Sequence, residues 1–235
     1  MRDRIVALIA AAGRGTRMGG SAQHKKQYHM LGDRPVLAHT IAIFEESPLV
    51  DEIVIVVCPE DIDHCRREVV DKYGFQKVSQ LVPGGEQRAD SVYQGLLALD
   101  PDPDFVLVHD GVRPFFPSAL IGEVVQAVRT YQAAVVAVPV KDTIKIADVA
   151  GFVKKTPERR SLWAVQTPQA FSYPLLLEAY REGRQRKLQV TDDAMLVEAL
   201  GYRVKLVLGT YENIKITTPE DFVLAEALLA KGVSK

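Results

Sequence analysis

Short runs of consecutive apolar residues alternate along this chain with longer stretches whose apolar positions recur every three or four residues. The runs at 5–10, 53–58, 105–109 and 135–138 are rich in Val, Ile and Ala and lack period-two alternation. Strands covered on both faces of a parallel sheet have this pattern. Between them lie 36–44, 61–73, 89–99 and 118–131, all with helical spacing. In the last, Leu120, Ile121, Val124, Val125 and Val128 recur along one face. Such alternation predicts an α/β fold on a doubly wound, mostly parallel, Rossmann-like sheet with right-handed crossovers.

The pattern breaks between about residues 139 and 160. Segments 143–147 and 152–156 flank a turn-like Asp148-Val149-Ala150-Gly151, which reads as a β-hairpin with a half-exposed face. The alternation resumes through 173–184, a segment around 191–200, a strand at 203–208 and a last helix at 219–230. One domain spanning 1–235 is expected, with a protruding β-arm at about 139–160. Such an arm needs something to pack against, and a second copy in a homodimer is the simplest choice.

Composition removes several function classes. The hydrophobic share of 47% supports a sizeable core, and thirty acids against twenty-nine bases leave a net charge of −1. A general nucleic-acid or membrane-surface binder would carry a basic excess. The longest apolar runs, 5–12 and 133–140, fall far short of the roughly twenty residues of a membrane span. Two cysteines, Cys58 and Cys65, make no disulfide framework, and with His64 they match no zinc spacing. They read as buried thiols. The N-terminal apolar run is too short for a signal peptide, so a cytoplasmic location is expected.

The first strand runs into Ala11-Ala12-Gly13-Arg14-Gly15-Thr16-Arg17-Met18-Gly19-Gly20. A glycine-rich turn there lies at the carboxyl edge of the sheet, where backbone N–H groups can cradle phosphate oxygens. The dinucleotide pattern fails at Met18, and the P-loop pattern fails at Ser21. Charge says more. Between Asp3 and Asp33 there is no acid, while Arg14, Arg17, Lys25 and Lys26 all lie in that stretch. Cations without counter-charges beside a glycine loop point to a di- or triphosphate ligand.

Asp110, in His109-Asp110-Gly111-Val112-Arg113-Pro114, directly follows an apolar strand and should face the same edge. Mg2+ is usually held by one or two carboxylates plus substrate phosphates, which suits Asp110; a simple ion pair with Arg113 is the plainer reading. His109 reads as structural rather than as a general base. The loop from Pro83 to Ser91 could offer amides and a hydroxyl to a base edge. Lys215 stands just before Thr218-Pro219, a good helix start, as either a phosphate ligand or a surface lysine.

Together these segments resemble the 2-C-methyl-D-erythritol 4-phosphate cytidylyltransferases of the non-mevalonate isoprenoid pathway. The likeness rests on 11–18, Lys26-Gln27-Tyr28, 84–92, 109–114, Asp142-Thr143-Ile144-Lys145, Leu162-Trp163, 166–171, Thr191-Asp192-Asp193-Ala194 and 213–221. It implies a nucleotide-diphospho-sugar transferase type of fold. It also implies attack of a sugar-alcohol phosphate on the α-phosphorus of CTP, with release of pyrophosphate. By that likeness Arg17, Lys26, Arg159 and Lys215 would be catalytic, and Ala11, Ala12, Gly13, Gly15, Gly85 and Ser91 would bind CTP. Asp110, Arg113, Thr143, Arg159, Thr167 and Lys215 would lie on the methylerythritol phosphate side, with Mg2+ at Asp110. This chain has His24-Lys25 where the family commonly has proline, and Gln27-Tyr28 sets the register on Lys26.

The ribitol 5-phosphate cytidylyltransferases share the first loop and the 213–219 motif. The 142–145 segment, Arg159 and Leu162-Trp163 favour the methylerythritol family. A dinucleotide-dependent oxidoreductase is the rival of another class. The missing third glycine disfavours it, as does the acid-free first segment, since an acid normally binds the adenosine ribose.

Overall fold

The computed structural model describes residues 2–13 and 25–232. In chain order the elements begin with β1 (Ile5–Ala10), a small hairpin of β2 (Met30–Leu31) and β3 (Arg34–Pro35), and α1 (Val36–Glu45). Next come β4 (Glu52–Val57), the short α2 (Ile62–Cys65), β5 (Val78–Pro83), α3 (Arg88–Leu97) and β6 (Phe105–Asp110). The chain continues with α4 (Ile121–Tyr131), β7 (Ala133–Pro139), the paired β8 (Ile146–Ala147) and β9 (Val153–Lys155), and β10 (Trp163–Ser172). It closes with α5 (Tyr173–Gln185), α6 (Ala194–Ala199), β11 (Lys205–Leu208) and α7 (Pro219–Ala230).

Seven strands form one sheet in the order β11-β7-β10-β6-β1-β4-β5. All neighbours run parallel except β10, which lies antiparallel between β6 and β7. The continuous apolar runs now have their explanation. In β1, Ile5, Ala7 and Ile9 enter the core under α1 and α4, while Val6 and Leu8 enter the core under α3 and α5. Both faces of the strand are covered, so neither can be polar. A third apolar cluster seats α7 through Ala225 and Leu228 against Leu31, Val112 and Phe115.

Strand order reverses at β1. Its neighbour β4 leads outward to β5, whereas β6 returns to the opposite side, with Ala10 beside Asp110. The crevice beyond the carboxyl ends of β1 and β6 is therefore a topological switch point, where open α/β sheets bind ligands.

The structure departs from expectation in two places. Residues 62–73 are continuously helical as expected, but a π-helical segment at Arg66–Asp71 follows α2, after a 3-10 turn at Pro59–Asp61. Strand β10 went unread because Gln166, Thr167, Pro168 and Gln169 interrupt its apolar pattern. Its pairing with β7 shifts register between Val165 and Gln169, as a proline with no N–H to donate requires. The 139–160 excursion is a hairpin in which every residue of β8 and β9 is exposed. Among the described residues no helix is long and apolar enough to cross a membrane.

Candidate active site

The carboxyl ends of β1, β5 and β6 open onto a cavity of about 410 Å3, lined by Ala10 to Gly13, Lys26, Gly85, Arg88, Ser91, Asp110 and Lys215 among others. A second cavity of about 210 Å3 adjoins it, lined by Arg113, Gln166, Thr167 and Asp192, and shares Arg88, Asp110 and Lys215 with the first. Side chains hold the first loop from beneath. Buried Gln27 donates from Nε2 to the carbonyls of Ala11 (2.9 Å) and Gly13 (3.2 Å), and the Cys58 thiol donates to Ala12 O (3.0 Å). Gly84 packs so closely that a Cβ there would fall 2.4 Å from Ala12 Cβ. The two loops that form this wall can approach only with glycine at that position.

Ser91 is buried in the first turn of α3. Its hydroxyl donates to Gln87 O (3.0 Å) and accepts from Gly85 N (3.2 Å). It thus fixes the glycine turn and still lines the cavity. Gln87 and Asp90 close a capping box at the start of α3.

Asp110 ends β6 and is 5% exposed, yet three cations hold its charge. Arg88 Nε donates to Oδ1 at 3.0 Å, while Arg113 Nε (3.3 Å) and Lys215 Nζ (2.9 Å) reach Oδ2. Burial opposes ionisation, but Arg88, Lys215 and Arg113 outweigh it and hold the carboxyl far below the usual range. The plain ion pair with Arg113 is therefore present, and so is the lysine from the far end of the chain. Arg113 also donates to Asn213 O (2.8 Å), and fully buried Asn213 donates to Gln166 Oε1 and Thr167 O. That strap delivers Lys215 to the site. Thr218 and Asp221 close a capping box on α7 just beyond it.

His109 is fully buried and structural. Its Nε2 faces Arg113 O at 3.1 Å and its Nδ1 faces Thr167 Oγ1 at 3.1 Å. A carbonyl only accepts, so Nε2 carries the proton and Nδ1 accepts from the Thr167 hydroxyl. Thr167 Oγ1 in turn accepts from Asp110 N (3.0 Å), so this hydroxyl sets the backbone beneath the carboxylate. Burial pushes the imidazole down to about 4, against the pull of the Arg113 carbonyl and Asp110. Below about pH 6.5 the unfolded chain binds a proton here that the folded chain refuses until about pH 4. Stability conferred by the neutral ring is therefore present above pH 6.5 and is lost as pH falls towards 4, by roughly 3 kcal/mol. Urea unfolding of metal-free protein across that range should show the decline, with a shallower slope for His109→Gln. An equal slope in both proteins would contradict it.

A family model described as IspD, 2-C-methyl-D-erythritol 4-phosphate cytidylyltransferase, matches residues 5–231. The chain belongs to this family. An IspD relative from Pelotomaculum thermopropionicum is 52% identical over 227 residues, covering 97% of this chain and 94% of that protein. The 4-diphosphocytidyl-2C-methyl-D-erythritol synthase of Anaerococcus prevotii superposes with a TM-score of 0.85 at 37% identity, over 97% of this chain and 96% of that one. The Thermus thermophilus cytidylyltransferase gives 0.77 at 35% identity, over 95% and 98%.

The residues expected from the IspD resemblance fall into three groups. Ala11, Ala12, Gly13, Lys26, Gly85, Ser91, Asp110 and Lys215 line the larger cavity, and Arg113 and Thr167 line the smaller one. Thr143 and Arg159 line neither; both lie exposed on the arm, where Arg159 Nη1 donates to Lys141 O (3.1 Å). Gly15 and Arg17 lie outside the described residues. Gln27, Arg88, Asp193 and Asn213 also hold the site together; each is a polar side chain whose partners come from distant parts of the chain, which no local pattern reveals.

Among the described residues no group of three or more His, Cys, Asp or Glu could hold a metal. Cys58 and Cys65 are free and buried. Among the described residues Asp110 Oδ1 accepts only from Arg88, whereas Oδ2 is held by Arg113 and Lys215, and the Asp110 side chain lines both cavities. One available carboxylate suits a divalent cation arriving on a polyphosphate, which supplies the remaining oxygens.

Proposed function

We propose that this protein transfers the cytidylyl group of CTP to 2-C-methyl-D-erythritol 4-phosphate, releasing pyrophosphate, in isoprenoid precursor synthesis. Family membership across nearly the whole chain is the observation that carries this reading. The joined cavities fit it, with the nucleotide in the larger and the sugar-alcohol phosphate in the smaller.

A phosphate monoester is anionic at neutral pH, so its oxygen needs no general base. The side chains at the site agree, since neutral, buried His109 has both nitrogens committed. What the reaction requires is alignment of two polyanions and stabilisation of charge at the α-phosphorus. Lys26 and Arg17 would meet the triphosphate; Lys215 and Arg113 would draw the second phosphate towards it. Mg2+ would be held by Asp110 Oδ1 and would supply charge neutralisation on the triphosphate. The small wall formed by Gly84, Gly85 and Ser91 suits a pyrimidine. Calorimetric titration with Mg2+ present should show CTP binding at least about tenfold more tightly than ATP. Equal affinities would contradict that assignment.

The arm supports a shared site in a homodimer. Phe152 is 73% exposed, and Ile146, Val149 and Val153 are exposed beside it. Burying such side chains is worth roughly 1.5–3 kcal/mol each, and a two-fold exchange of arms closes the surface without open-ended assembly. Arg159 and Thr143 lie on that arm and outside their own chain's cavities, so they would complete the partner's site. Mixing inactive Arg159→Ala chains with inactive Lys26→Met chains should then restore activity, because one site of each heterodimer holds both intact residues. No recovery in verified heterodimers would contradict the shared site.

A further inference from the structure

Arg88 is the least explained charge at the junction of the two cavities. It opens α3, and each of its three guanidinium nitrogens donates to a carboxylate. Nη1 and Nη2 form a fork on Asp193 at 3.0 and 2.9 Å, while Nε reaches Asp110 Oδ1 at 3.0 Å. Asp193 is fully buried and also accepts from the Tyr180 hydroxyl. Its backbone N–H and that of Ala194 both donate to Gln169 Oε1. Tyr180 lies outside both cavity linings and stacks on Tyr93 with ring centroids 5.9 Å apart.

We infer that Arg88 is a positioning residue, a guanidinium locked by Asp193 and Tyr180 that aims Asp110 Oδ1 between the two substrates. Three features support this. A two-point fork fixes the guanidinium plane, as a lysine could not. The Nε contact holds Oδ1 while Arg113 and Lys215 hold Oδ2, and both Arg88 and Asp110 line the two cavities. Without it, Arg113 and Lys215 on Oδ2 would draw the carboxylate to their own side. The outer partners of a metal-binding carboxylate typically matter by about ten- to a hundredfold in affinity or rate.

This inference rests on the cytidylyl-transfer reading for its kinetics but not for its metal readout. Two variants test it, Arg88→Lys, which keeps charge without the fork, and Tyr180→Phe, which loosens Asp193 from outside the cavities. Arg88→Lys should lower kcat about tenfold or more with KM for CTP changed less than about threefold. It should also weaken Mn2+ binding to the protein in the presence of CTP, followed by electron paramagnetic resonance, about tenfold. Tyr180→Phe should move kcat and Mn2+ affinity the same way by a smaller factor. Parent-like kcat and Mn2+ affinity in folded variants with lowered melting temperatures would reduce the network to a structural role and overturn the inference. Full activity in Arg88→Lys would overturn it too, as would a silent Tyr180→Phe. Absence of pyrophosphate release by the parent protein would instead overturn the reaction, and the Mn2+ titration would still decide the role of Arg88.

Discussion

Lys26→Met is expected to lower kcat by at least about a hundredfold while leaving the unfolding midpoint close to that of the parent. Lys26 lines the larger cavity beside Ala10 to Gly13, where charge on a transferring phosphoryl group must be met. Losing one preorganised donor to such charge typically removes about 2.7–4 kcal/mol of transition-state stabilisation. Its neighbour should behave in the opposite way. Lys25 is 5% exposed and bridges Asp61 (2.8 Å) and Glu60 (2.9 Å). Burial opposes its charge, but Asp61 and Glu60 prevail and hold its pKa above the usual value. Lys25→Met strands the buried Asp61 carboxylate, so the protein should lose about 3 kcal/mol of stability with kcat changed only several-fold. Steady-state kinetics beside urea unfolding separates the two lysines. A larger loss of kcat in Lys25→Met would place the wrong lysine on the phosphates.

Asp110→Asn should be damaging twice over. The amide cannot balance Arg113 and Lys215 or offer a full negative charge to a cation, so kcat should fall by about a hundredfold or more. Arg88 then keeps Asp193, while Arg113 and Lys215 lose the carboxylate oxygen they share, and uncompensated buried charge costs about 3 kcal/mol or more. Because the Asp110 pKa is depressed in the folded state, its contribution is full above the unfolded value near 4 and declines below it. The stability gap between parent and variant should therefore be constant from pH 8 to 5 and narrow under more acidic conditions. A variant as stable as the parent at pH 7 would contradict the charge balance described for this site.

Much of the fold was legible because its strands are sandwiched. β1, β4, β6 and β7 needed apolar residues on both faces, and their runs announce it. The stop of β6 at Asp110 and the glycine turn after β1 likewise announce a ligand edge. β10 was illegible for the opposite reason. Gln166, Thr167 and Gln169 are buried but spend their side chains on Asn213, His109 and Asp192, so a central strand reads as a polar loop. Helical spacing at 61–73 did not reveal the π-helical stretch at Arg66–Asp71, since apolar positions constrain which face is buried but not whether the turns are α or π. Nothing in the local sequence marks the role of Arg88, which opens α3. Its partners, Asp110 and Asp193, lie 22 and 105 residues away in sequence, and only the sheet brings them together.

The central claim is that the joined cavities pass a cytidylyl group from CTP to methylerythritol phosphate. Steady-state pyrophosphate release, measured with CTP, Mg2+ and each sugar-alcohol phosphate in turn, tests it most directly. The predicted result is rapid release with 2-C-methyl-D-erythritol 4-phosphate, at least about a hundredfold less with ribitol 5-phosphate, and loss of the signal in Lys26→Met. Equal or faster release with ribitol 5-phosphate, or none with either acceptor, would contradict it.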